Sequence, residues 1–183
     1  MKHGASAPHK AVAILLPDFF DRPAHLVARD LLGTTLVRRH TDGEQYFTII
    51  ETEAYLGRHD LACHSARGPT PRTEILFGQP GTLYIYLVYG LHLMLNIVAG
   101  PQGAGAAVLI RSAGAVQGPG RLGRALSLSM SLHGKPAESA TGLWFEERAE
   151  RPRRIVAMPR IGVDYAGPLW SGRKLRFILA NQT

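Results

Sequence analysis

Glu51, Glu53 and Tyr55 recur at every second position of Ile49-Ile50-Glu51-Thr52-Glu53-Ala54-Tyr55-Leu56-Gly57. On an extended strand that spacing puts two carboxylates and a phenol on one face. Such a face is solvated in one reading. The apolar lead-in from Tyr46 to Ile50 supports another, a buried strand whose end opens at a cleft, where a glutamate serves as general base. A second chemistry-bearing stretch reads Leu83-Tyr84-Ile85-Tyr86-Leu87-Val88-Tyr89-Gly90. Tyr84 and Tyr86 fall on one face, as core residues, cross-strand pairs or walls for a flat ligand. Tyr89 stands beside a glycine at an expected hairpin tip, where a ring is hard to bury and suits a wedge or a stacking platform.

Five further positions are ambiguous from spacing alone. Asn96 interrupts the apolar run Leu93-Met94-Leu95-Asn96-Ile97-Val98, so its amide must find partners, in a backbone bend or on a ligand edge. Arg111 closes Val108-Leu109-Ile110-Arg111 as either a surface charge or a buried one needing an anion. His59, Cys63 and His64 invite a metal-hydrolase reading. Their spacing matches no zinc signature, no second cysteine exists and a closed site needs four ligands, so no metal or other cofactor is expected.

The elements that must position these residues follow from punctuation and periodicity. Pro23 and Gly33 bracket a helix over 24–32, with Asp21 or Arg22 near its cap. Strands are predicted over 34–39 and 45–55, joined by the turn Thr41-Asp42-Gly43, then over 82–89, 91–98, 106–112 and 174–180. Residues 56–81 and 133–160 read as loop-rich. A second helix is predicted over 121–132, after Gly118-Pro119-Gly120. Hairpin-linked strands outnumber helices, which gives an α+β class built on a mostly antiparallel sheet with flanking helices.

Composition narrows the partner. The chain has 183 residues, enough for one domain, taken as 11–183 with 1–10 as a flexible tail. Lys and Arg number 21 against 14 acids, and no acid lies between Glu74 and Glu138, where Arg111, Arg121, Arg124 and Lys135 fall. An acid-free, arginine-bearing stretch suits a polyanion, because phosphate repels carboxylates and accepts guanidinium forks. The lone Cys63 excludes an internal disulfide and fits a reducing compartment. The apolar run Ala11 to Leu16 is short, meets Pro17-Asp18 and has no small-residue cleavage site after it, so a cytoplasmic, membrane-free protein is expected.

Taken in order, these segments resemble the alkyladenine (3-methyladenine) DNA glycosylase family of the non-helix-hairpin-helix type. The resemblance is carried by Phe19-Phe20-Asp21-Arg22-Pro23, Ile50-Glu51-Thr52-Glu53-Ala54-Tyr55-Leu56-Gly57, His64-Ser65-Ala66-Arg67-Gly68 and Thr70-Pro71-Arg72. It continues through Pro80 to Gly90, Asn96, Val108 to Arg111, Gly118 to Leu122, Arg160-Ile161-Gly162-Val163 and Leu175-Arg176-Phe177. It implies a compact domain with a curved sheet, acting as a monomer on duplex DNA that holds damaged purines, at the nucleoid. It also implies roles. Glu53 would activate water, while Tyr55, His64 and Tyr86 would hold the flipped base. Tyr89 would insert into the duplex, Asn96 would exclude the guanine 2-amino group, and Arg111 would hold the water and a phosphate. The chain departs from the family where Ser112 to Gln117 replaces a longer, mostly helical segment; no implied site residue lies there.

Overall fold

The computed structural model describes residues 12–148 and 154–180; the expected tail over 1–10 lies outside them. In chain order the elements are α1 (Pro17–Phe20), α2 (Ala24–Asp30), β1 (Thr35–His40), β2 (Gly43–Tyr55), β3 (Leu83–Val88), β4 (His92–Ala99) and β5 (Ala106–Ala113). There follow α3 (Pro119–Ala125), β6 (Leu143–Glu146), β7 (Ile155–Met158), α4 (Gly167–Ser171) and β8 (Arg176–Leu179). Eight strands form one sheet in the order β3-β4-β5-β2-β1-β6, with β8 also on β2 and β7 on β8. Every ladder is antiparallel. The α+β class with a mostly antiparallel sheet is the observed one.

β2 organises the sheet. Its first half pairs with β1, and its second half lies between β5 and β8. The β2–β5 register shifts on either side of Glu51, a bulge that bends the strand where it changes partners. Alternation then divides labour between the two faces. Leu83 and Ile85 of β3, Leu95 and Ile97 of β4, Val108 and Ile110 of β5 and Ala54 of β2 enter the main core with Phe20, Val27 and Leu31. The intervening residues point the other way. One row of paired positions on that second face runs Tyr84, Asn96, Leu109, Glu53 and Arg176 across five strands.

Several elements differ from the sequence expectations. The helix predicted over 24–32 ends at Asp30, with Pro23 rather than Asp21 or Arg22 in the capping position. The helix predicted over 121–132 starts at Pro119 and stops at Ala125; Ser127 takes φ 46° and a separate 3-10 turn covers Met130–Leu132. A serine in that left-handed conformation cannot continue a right-handed helix. The loop-rich stretch 133–160 contains β6 and β7. All four residues of β6 are buried, so it shows no alternation to read.

Candidate active site

The second face of the sheet carries a cavity of about 250 Å³. Two small clusters wall it. Leu76, Tyr84, Val98 and Ala107 pack with Tyr86; Ala62, Val163, Ala166 and Trp170 pack with Tyr55. All seven residues to which the resemblance gives roles, Glu53, Tyr55, His64, Tyr86, Tyr89, Asn96 and Arg111, line this one cavity; Glu51 and His59 do not.

Glu53 is fully buried. Its Oε1 accepts from the Ile161 N–H at 2.8 Å and pairs with Arg111 Nη1 at 3.1 Å, while Oε2 accepts from the Tyr55 hydroxyl at 2.9 Å. Burying a carboxylate is costly without such donors. A carboxylate offers about four acceptor positions, so these three donors leave room for about one more. Arg111 also reaches Glu51 Oε1 at 3.2 Å, so it is a partly buried charge whose anions come from the protein itself. Glu51 takes Ser112 Oγ at 2.7 Å and Arg176 Nη1 at 2.9 Å as well. Desolvation pushes its carboxyl up, but the Ser112 and Arg176 hydrogen bonds and the two arginine charges outweigh this and hold it below the usual range. The two glutamates share a face, and neither is a solvated surface acid.

Aromatic rings form the rest of the wall. His64 meets Tyr86 edge-on at 4.6 Å between ring centres, and its Nδ1 shares a 3.0 Å hydrogen bond with the Tyr84 hydroxyl. Burial, helped by the Arg72 charge, lowers the His64 pKa, which favours the neutral ring. Burial likewise raises the phenols of Tyr55 and Tyr86, keeping both protonated. Asn96 is buried, and its Nδ2 donates to the Tyr84 carbonyl at 3.3 Å. Tyr89 occupies the β3–β4 turn at φ 52° with Gly90 at 68°, closed by Leu91 N–H to the Val88 carbonyl at 3.1 Å. It is 90% exposed. A tyrosine held left-handed costs about 1–2 kcal/mol, and the turn spends this to present a ring outward.

His59, Cys63 and His64, the trio that invites a metal reading, each have other partners. His59 lies against Trp170, the buried Cys63 thiol is directed to the Gly105 carbonyl, and His64 is on Tyr84. Among the described residues no three His, Cys, Asp or Glu side chains stand close enough to hold a metal. No described helix is long and apolar enough to cross a membrane.

Sequence reasoning missed the supports. Asp60 and Arg160 form a fully buried ion pair, with Nη2 to Oδ1 at 2.9 Å. The Arg160 guanidinium also lies 4.8 Å from the Tyr55 ring centre and donates to the Ala54 carbonyl at 3.0 Å. The pair thus fixes the loop whose Ile161 N–H reaches Glu53. Asp60 accepts from the amides of Leu56 and Ala62, a local pattern that the preceding Gly57 hints at. Arg160 stands in a segment that carries the resemblance, but no role is read for it there, because its partner is a hundred positions away.

The family model for methylpurine-DNA glycosylase matches residues 18–117 and 112–183. Relatives named "Putative 3-methyladenine DNA glycosylase" include one from Methanocella arvoryzae, 43% identical over 174 residues, covering 84% of this chain and 86% of the relative. One from Myxococcus xanthus is 45% identical over 172 residues, covering 88% of each chain. A third, from Legionella pneumophila, is 41% identical over 174 residues, covering 90% of this chain and 93% of the relative.

Proposed function

This chain belongs to the methylpurine-DNA glycosylase family, and from that premise we propose that it is a monofunctional purine DNA glycosylase of base excision repair. It flips alkylated or deaminated purines, of the 3-methyladenine, hypoxanthine and ethenoadenine type, out of duplex DNA and hydrolyses the N-glycosidic bond. It works as a monomer on cytoplasmic, nucleoid DNA and needs no cofactor. The observation that carries the reading is Glu53, a buried carboxylate that lines an aromatic-walled cavity and whose three donors leave about one acceptor position unused.

A base inside the duplex is out of reach, and extruding it costs a few kcal/mol, least for damaged or mispaired bases. Stacking on aromatic rings returns about 1–3 kcal/mol. Tyr55, His64 and Tyr86 supply those rings, and cationic alkylpurines gain most from the faces of the tyrosines. Tyr89 fills the gap in the duplex. Asn96, held by the Tyr84 carbonyl, meets the purine edge where a guanine 2-amino group would clash.

Water is the further donor to Glu53. Its oxygen bonds to C1′ as the bond between C1′ and the base nitrogen breaks, and that electron pair leaves with the base. The water proton passes to Glu53. Arg111, on both carboxylates, fixes Glu53 and the water against the strand. Of the four lysines, neither Lys135 nor Lys174 lines the cavity, and Lys2 and Lys10 lie outside the described residues. The product is therefore an intact abasic strand.

The deciding experiment incubates the protein with duplexes bearing each lesion and measures free base, strand cleavage and borohydride-trapped adduct separately. Free base without cleavage or adduct is expected. Lesion binding with no base release would make the protein a damage-binding module instead, and a trapped adduct would make it a lyase.

A further inference from the structure

Tyr165 stands outside every role assigned so far. It sits in the 3-10 turn Asp164–Ala166, is 70% exposed and yet lines the same cavity as Glu53 and Tyr86. Its hydroxyl donates to the Ala62 carbonyl at 2.9 Å. That bond ties the turn to the segment leading into Cys63 and His64, and it fixes the ring while leaving most of its surface to solvent. An ordinary surface tyrosine swings freely. This one is preorganised, and its neighbours Ile161 and Gly162 on the same loop also line the cavity. Desolvation of its phenol raises the pKa first; the Arg160 charge opposes this, and the Cys63, Asp60 and Glu53 charges add to it.

Building on the glycosylase reading, we propose that Tyr165 is a nucleotide-contacting residue, its ring closing over the extruded nucleotide at the cavity mouth. Tyr89, from the β3–β4 turn, acts in the duplex; Tyr165, from the far end of the chain, acts on the nucleotide that has left it. The apolar ring surface exposed in the free protein is covered only when a flipped nucleotide arrives. Tyr165 therefore contributes to lesion affinity and leaves binding of undamaged duplex alone.

The test measures equilibrium binding to an ethenoadenine duplex and to the same duplex undamaged, in a Glu53→Gln background that preserves the substrate. Tyr165→Ala should weaken lesion binding roughly five- to hundredfold, the range for losing one aromatic stacking partner, with less than a twofold change on undamaged DNA. Tyr165→Phe keeps the ring without its tie to Ala62 and should lose much less. Leu169→Ala, at 73% exposure and away from the cavity lining, is the surface control and should match the parent. If the alanine variant does not fold, Tyr165→Leu retains bulk without the flat ring and should show the same lesion-selective loss. Unchanged lesion binding, an equal loss on both duplexes, or a phenylalanine variant as weak as alanine would each overturn the proposal. A parent protein with no preference for the lesion would sink the glycosylase reading itself, a different result from a selective parent matched by a selective Tyr165→Ala.

Discussion

Glu53→Gln separates catalysis from binding. Glutamine keeps an Oε1 to accept from the Ile161 N–H, and its amide nitrogen can donate to the Tyr55 hydroxyl, which rotates to accept. Arg111 loses one of two carboxylates but retains Glu51. The structural cost is thus the charge on one hydrogen-bonded pair, about 1.5–3 kcal/mol, rather than a stranded arginine. What disappears is the group that accepts the water proton. General bases contribute about 10²–10⁴-fold, or roughly 3–5 kcal/mol of barrier. Single-turnover release of ethenoadenine should fall by that factor or more, while equilibrium binding to the same duplex stays within a few-fold of wild type. A variant that excises at the normal rate would refute Glu53 as base. A variant that loses binding and excision together would refute the claim that the pocket survives.

Three further outcomes follow from other parts of the site. Glu51 has its folded pKa below the ordinary 4.5, so its ionised form adds stability that is full above that value and fades as pH falls through the folded pKa; the gap in unfolding free energy between wild type and Glu51→Gln should close in that window, and a constant gap would mean that the arginine contacts contribute nothing. Tyr89→Ser should reduce excision most from stable base pairs and least from mispaired or single-stranded targets, and should leave Tm nearly unchanged, since the ring it removes is exposed and serine keeps the same left-handed backbone cost; an equal loss on all substrates would point to misfolding. Binding to undamaged duplex should weaken steeply with salt, each neutralised phosphate adding about 0.9 to the log–log slope, and a flat titration would contradict a phosphate-contacting face.

The strand-borne part of the site was legible because strand spacing is rigid. Once Tyr84, Asn96 and Glu53 lie on strands, period two sends them to one face, and ladder pairing brings them into one row. The loop-borne part was not. The Ile161 amide is a backbone group with no sequence signature, and Arg160 and Asp60 meet only because their two loops fold onto one another. Glu51 was legible as a position but not as an environment. Beside Glu53 it reads as a solvated neighbour; in the fold it anchors Arg111 and Arg176. Glu51→Gln is therefore a poor inert control for Glu53→Gln, because removing its charge loosens the arginine that Glu53 also uses.

The short segment 112–117 bears on the same network. The family match divides there, its two stretches overlapping at 112–117, where the sequence is shorter than its resemblance leads one to expect. The chain closes the gap with a tight turn: Ala113 and Val116 exchange backbone hydrogen bonds at 3.0 Å, and Gly114 takes φ 56° while donating to the Thr48 carbonyl at 2.7 Å. A side chain at Gly114 meets no neighbour, so its glycine answers a backbone demand rather than a packing one. The turn then delivers Gly118, whose N–H donates to Ser112 Oγ at 3.0 Å, and Ser112 in turn donates to Glu51. Shortening this flank therefore leaves the carboxylate network anchored, because the chain running out of the turn reaches Glu51 through one serine. Ser112→Ala should consequently perturb Arg111 through Glu51 without touching the cavity itself, lowering excision less than Glu53→Gln does. A loss as large as that of the Glu53 variant would place the serine in the chemistry rather than behind it.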